Sequence, residues 1–148
     1  MKDSLQSLPQ SVGELVQHSL LRLQNQYGRA GLGWAFATLA ISSTGLRESS
    51  LYTILNMCND LNSRGGLVTW PEILHIVRHP ESRVPMAIFS QLARTLHSVI
   101  GPSHGQGSDD LLILTHPEVK SAFEHLYLST EESRTRSHLI NAGKTRYM

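Results

Sequence analysis

The stretch "LGWAFATLAI" constrains this chain more than any other: from Trp34 to Ile41 it is apolar nearly all round, with no polar stripe to present to water. A helix that is hydrophobic on every side has to be enclosed by other elements. The fold therefore needs this segment at its centre, stopped by Gly45, with amphipathic helices packed around it. Those neighbours are legible on both sides. Val12, Leu15, Val16, Leu20 and Leu23 line one face of a helix that should end near Gly28. Leu51, Ile54, Leu55 and Cys58 follow the same spacing until "NSRGG" breaks the chain. "TWPEILHIVRHP" predicts a short helix with Pro71 in its first turn and an end near Arg78, because Pro80 disfavours helical angles at His79. Phe89, Leu92, Ala93 and Leu96 mark a further helix from Val84 to about Leu96.

The pattern then changes. "LHSVIG" and "LLILTH" flank "PSHGQGSDD", a Gly-, Ser- and Asp-rich connection suited to a hairpin loop. The expected fold class is mainly α, with a small β-hairpin wing at about residues 95–115. Val119, Ala122, Phe123 and Leu126 resume helical spacing, and "STEESRTRSHL" begins a polar, helical exit. The expected organisation is a loose N-terminus over 1–8, one domain over 9–128, and a polar helical linker over 129–148.

Composition narrows the function classes. With 13 basic and 12 acidic residues in 148, the formal charge of +1 gives no bulk footprint for nucleic acid or an anionic membrane. One cysteine, Cys58, leaves no internal disulfide framework. The N-terminus lacks an apolar signal core, and no run nears the roughly 18 apolar residues of a membrane span. The expected setting is cytoplasmic, with no membrane partner.

Several motifs fall short of chemistry. The terminal Gly143-Lys144-Thr145 copies the end of a phosphate-binding P-loop, but that loop needs a glycine five positions before Gly143, where His138 stands. Gly31 and Gly33 begin a G-x-G whose third glycine would fall on Phe36, so this stretch reads as a helix-to-helix turn. His75 and His79 are spaced i, i+4, but no HExxH glutamate or third ligand accompanies them, and no metal site is expected. No nucleophile has an orienting base beside it, so no catalytic residues are expected. Thr115-x-x-Glu118 has capping-box spacing with Pro117 in the first turn. His116 then sits at a helix N-terminus, where it either completes the cap or donates to an anion.

In order and spacing, "LPQSVGELVQHSLLRLQNQYG", "AFATLAISSTGLRESSLYTIL", the Trp70-led segment and "LLILTHPEVKSAFEHLYL" resemble the segment after the nucleotide-binding core of STAND-class NTPases. These are the signal-transducing relatives of the apoptotic protease-activating factor and the NOD-like receptors. The nearest likeness is to nephrocystin, telomerase-associated and tetratricopeptide-repeat members carrying a NACHT module. It covers about Leu8 to Leu128, and "SSTGLRESSLYTIL" is its most diagnostic piece.

The resemblance implies a winged-helix domain that regulates without catalysing. In that family, a winged-helix histidine between a strand and a helix contacts the β-phosphate of ADP and holds the protein closed. His116 matches that position, followed by Pro117 where relatives often differ. The P-loop, acidic strand and sensor arginine of such an NTPase would lie N-terminal to this segment. The chain alone is thus expected not to hydrolyse ATP, to bind no cofactor by itself, and to be a fragment. ADP or ATP would enter only with a full-length protein, whose nucleotide-binding core and repeat domain would be its partners. The alternatives are a stand-alone protein–protein scaffold and, less favoured, a DNA-binding winged helix, since only Arg83 and Arg94 accompany the candidate recognition helix.

Overall fold

The computed structural model of the chain describes residues 12–28, 31–42, 45–65, 68–81, 83–100, 111–114 and 116–147. It is mainly helical, with one small two-stranded antiparallel sheet. Helix α1, Val12–Tyr27, buries Val16, Leu20 and Leu23 on one face. It ends at Gly28, whose φ of +75° lets its N–H return to the Gln24 carbonyl at 2.9 Å. Helix α2, Gly31–Ile41, carries the apolar stretch, and every residue from Gly31 to Ala40 except the half-buried Trp34 is buried. The one hydroxyl enclosed there is satisfied locally, as Thr38 Oγ1 donates to the Trp34 carbonyl at 2.9 Å.

A turn at Gly45 (φ +83°) delivers strand β1, Leu46–Arg47, which runs straight into α3, Glu48–Ser63. Helix α4, Trp70–Arg78, is capped by Thr69, whose side chain accepts from the Glu72 N–H, and carries Pro71 in its first turn. Helix α5, Met86–Ile100, precedes strand β2, Leu111–Leu112, and then come α6, Pro117–Tyr127, and α7, Glu131–Tyr147.

The core is organised around α2, which packs against α3, α6, α7 and, less extensively, α1. Phe36 is fully buried and meets Phe123 and Tyr127 edge to face, with centroids 5.8 and 5.6 Å away. Gly31 lets α2 approach α3 closely: a Cβ there would overlap Asn59 Oδ1 and lie 3.0 Å from the Asn59 backbone nitrogen. Gly31 and Gly33, expected in a turn, form the buried first turn of α2, because the connection from α1 is completed earlier, around Gly28.

One further expectation is modified. The antiparallel pair exists and its second strand lies in the expected stretch, but it is not a local hairpin. Residues 96–100 extend α5 because Leu96, fully buried, continues the Phe89, Leu92, Ala93 face. The partner of β2 is instead β1, in the register Leu46↔Leu112 and Arg47↔Leu111. Residues 101–110, the expected wing loop, lie outside the described residues, as does the expected loose N-terminus over 1–8.

Within the stretch expected as a polar helical linker, Glu131–Tyr147 forms α7, which packs against α2, α3 and α4. It buries Ser133, Ser137 and Ile140, and the two serines are satisfied by donating to the Thr130 and Ser133 carbonyls. Small side chains let this helix lie close to its neighbours without a broad apolar stripe.

Candidate functional site

Strand β2 leads within a few residues to His116, which is the N-cap of α6 with extended backbone angles (φ −80°, ψ 123°). Pro117 is compatible with that geometry, since it restricts the residue before it to extended angles and suits a first helical turn itself. His116 Nδ1 accepts a hydrogen bond from the Glu118 backbone N–H at 3.2 Å, and the His116 carbonyl accepts from Lys120 at 3.0 Å. The imidazole of His116 thus caps α6, while the capping-box threonine, Thr115, lies outside the described residues.

This bond fixes what the ring can do. With Nδ1 used as an acceptor, a neutral imidazole carries its proton on Nε2. His116 is exposed, so the Nε2–H is a donor available to an outside acceptor, beside the partial positive charge of a helix N-terminus. The same residue therefore completes the cap and keeps a donor in reserve.

The sheet next to this junction is braced by a contact that periodicity does not reveal. His97 Nε2 and Glu48 Oε2 lie 2.6 Å apart with side chains 22% and 23% exposed. The pair ties the last turns of α5 to the first residue of α3, immediately after β1. Reading 96–101 as a strand hid it, because the reach of His97 to α3 exists only when α5 continues as a helix.

The remaining candidates are placed as follows. His75 and His79 have ring centroids 5.1 Å apart and both are exposed, and among the described residues no group of three or more His, Cys, Asp or Glu is arranged to hold a metal ion. Gly143-Lys144-Thr145 lies inside α7, where backbone N–H groups are committed to helical hydrogen bonds, and Gly143 is pressed against Ile73. Cys58 is fully buried, and burial pushes its thiol far above the usual range, with the nearby Arg136 only partly offsetting this. Burial thus favours the protonated thiol over the nucleophilic thiolate. Arg136 itself stacks on Trp34, 4.6 Å from the ring centroid. No described helix is long and apolar enough to cross a membrane.

No family model matches the chain, and no solved structure matches it. Two curated proteins that it resembles are both named Telomerase protein component 1, from Rattus norvegicus and Mus musculus. Each is 24% identical to it over 143 residues. The alignment takes in 97% of this chain but only 5% of either relative. Nearly the whole chain is thus distantly similar to one short stretch of a far longer telomerase-associated protein.

Proposed function

We propose that this chain is a non-catalytic regulatory module of a STAND-type signalling NTPase: a winged-helix-like unit that packs on a nucleotide-binding core and stabilises its closed, ADP-bound state. The observation that carries this reading is the junction at His116. A strand, an exposed histidine with an outward donor and a capped helix follow one another, and such a donor set suits a phosphate oxygen held by a neighbouring domain. The order of elements supports the same reading. Helix α2, strand β1, helices α3 to α5 and strand β2 follow in sequence, and β1 pairs with β2 across the intervening helices. The distant similarity to a short part of a much longer protein agrees with a module that acts inside a larger polypeptide.

A switch of this kind requires contacts made in one state and lost in the other. His116 supplies one such contact, and the chain brings no catalytic group of its own. The partners in this reading are the nucleotide-binding core and a repeat domain of the parent protein.

The test is the rate of ADP release from the intact parent protein. His116→Ala removes both the cap and the donor, whereas His116→Asn keeps an N-cap acceptor without the imidazole. Both variants are expected to release ADP about tenfold faster, the scale of one lost hydrogen bond to a charged group. Faster release in the alanine variant alone would assign His116 to the cap only, and unchanged release in both would remove it from the nucleotide site.

A further inference from the structure

Two clefts meet between the end of α1 and the outer face of α5. The larger, about 480 Å³, is bordered by Gln26, Tyr27, Asn59, Arg83, Ile88 and Gln91. The second, about 330 Å³, shares Gln26, Tyr27, Ile88 and Gln91 and ends at Arg94. Four common residues make them one groove. Its lining is polar and apolar in about equal measure: Leu23, Val84 and Leu92 are buried beneath it, and Ile88, with 47% of its surface exposed, is an apolar side chain that both clefts share.

Charge distinguishes this groove from an ordinary surface depression. Arg83 and Arg94 stand towards opposite ends, separated by roughly 15–20 Å of chain at helical or slightly extended rise. Among the described residues, none that lines it is Asp or Glu. Arg83 also borders a separate cleft holding Asp60 and Glu81, but among the described residues neither Arg83 nor Arg94 forms an ion pair, in contrast to Arg64 with Glu72. Between the two guanidiniums, Gln26 and Gln91 offer amides that can bond to a peptide backbone.

We infer that this groove docks an acidic amphipathic segment of a protein partner, with an apolar side chain on Ile88 and carboxylates at its two ends for Arg83 and Arg94. About ten residues of helix, or five of extended chain, span that distance. A nucleic-acid duplex is the weaker match, because two arginines neutralise too few phosphates and the site is a concave cleft with the exposed Ile88 between them. The groove is separate from His116. His116 and Tyr127 lie at opposite ends of α6, about 16 Å apart by helix rise, and it is Tyr127 that donates to Gln24, within a turn of the groove. The inference therefore goes beyond the nucleotide-linked reading and does not depend on it.

The experiment titrates the full chain, ¹⁵N-labelled, with a synthetic amidated peptide of about twelve residues that has paired glutamates at each end and leucines at i, i+4 spacing. Its lysine-for-glutamate counterpart and a duplex DNA of about 20 base pairs are the comparisons. The acidic peptide is expected to bind at least about tenfold more tightly than either, with amide shifts at Gln26, Tyr27, Ile88 and Gln91. In the double variant Arg83→Glu, Arg94→Glu, both at exposed positions, the preference is expected to invert towards the lysine peptide. That gain of binding requires a folded protein. Ile88→Ser is expected to weaken the acidic peptide several-fold without changing the charge preference. Equal binding of the two peptides, tighter binding of the duplex, shifts confined to other helices, or no inversion in a variant whose spectrum remains folded would each overturn the inference.

Discussion

Phe36→Ala is expected to remove about 3–5 kcal/mol of stability, the range for truncating a fully enclosed phenylalanine. Phe36 has no exposed surface and sits in the middle of α2, edge to face with rings from α6. The loss combines transfer of the ring, the void left in a helix packed on several sides, and the aromatic contacts with Phe123 and Tyr127. A domain of this size has about 5–15 kcal/mol in total, so the variant should be close to unfolding at physiological temperature. Phe36→Leu, which restores most of the volume, should lose about half as much or less. Guanidinium denaturation at 25 °C checks both. A loss below about 1 kcal/mol for the alanine variant would mean that α2 is not the centre of the core.

The second large effect belongs to Gly45, where the chain turns from α2 into β1. At φ +83° an alanine is strained, and its Cβ would lie 2.6 Å from the Leu112 carbonyl oxygen and 2.9 Å from Ile113 Cβ. Backbone carbonyl and strand cannot both yield without disturbing the Leu46↔Leu112 pairing. Gly45→Ala is therefore expected to destabilise by about 2–4 kcal/mol, combining backbone strain with overpacking. Gly65 separates the two causes. Its φ of +104° is also positive but nothing lies within 4 Å of the added atom, so Gly65→Ala should lose only the conformational part, about 1–2 kcal/mol. Thermal melts give the comparison, and amide exchange at Leu46 and Leu112 should accelerate in the Gly45 variant alone. Equal losses at the two glycines would show that the close approach to β2 is not tight.

What the sequence makes legible here follows from the range of each signal. The spacing of Val16, Leu20 and Leu23, the all-round apolarity of α2 and the Thr69-Trp70-Pro71 start of α4 are local, and each places its element. The partner of β2 is a long-range fact. Leu46 and Leu112 are far apart in the chain, and a two-residue strand carries too little alternation to announce itself. The adjacent apolar run "LHSVIG" is the nearer candidate partner by sequence, although Leu96 continues the preceding helical face.

Helix α7 was hard to place for the opposite reason. Its contacts run through serines and Gly143, which carry no hydrophobic periodicity but permit close packing. At the candidate site, the boundary between strand and helix, with His116 at the helix N-terminus, is readable in the sequence. That His116 helps complete the cap is one of the two readings its position allows; which ring nitrogen accepts the Glu118 N–H is set by geometry that spacing does not carry. The α1/α5 groove joins residues from Leu23 to Thr95 and has no sequence signature beyond the arginines at its ends.

In the proposed function, this module favours one nucleotide state of a neighbouring core. That preference is measured most directly as the affinity of the chain for the separately produced nucleotide-binding segment of the parent polypeptide, loaded with ADP or with a non-hydrolysable ATP analogue. A module that biases a closed state has to bind the two forms unequally. The chain should bind the ADP form at least about tenfold more tightly, and His116→Asn should erase most of that difference while leaving the weaker affinity unchanged. Equal affinity for the two forms would contradict the account, however tightly the chain binds.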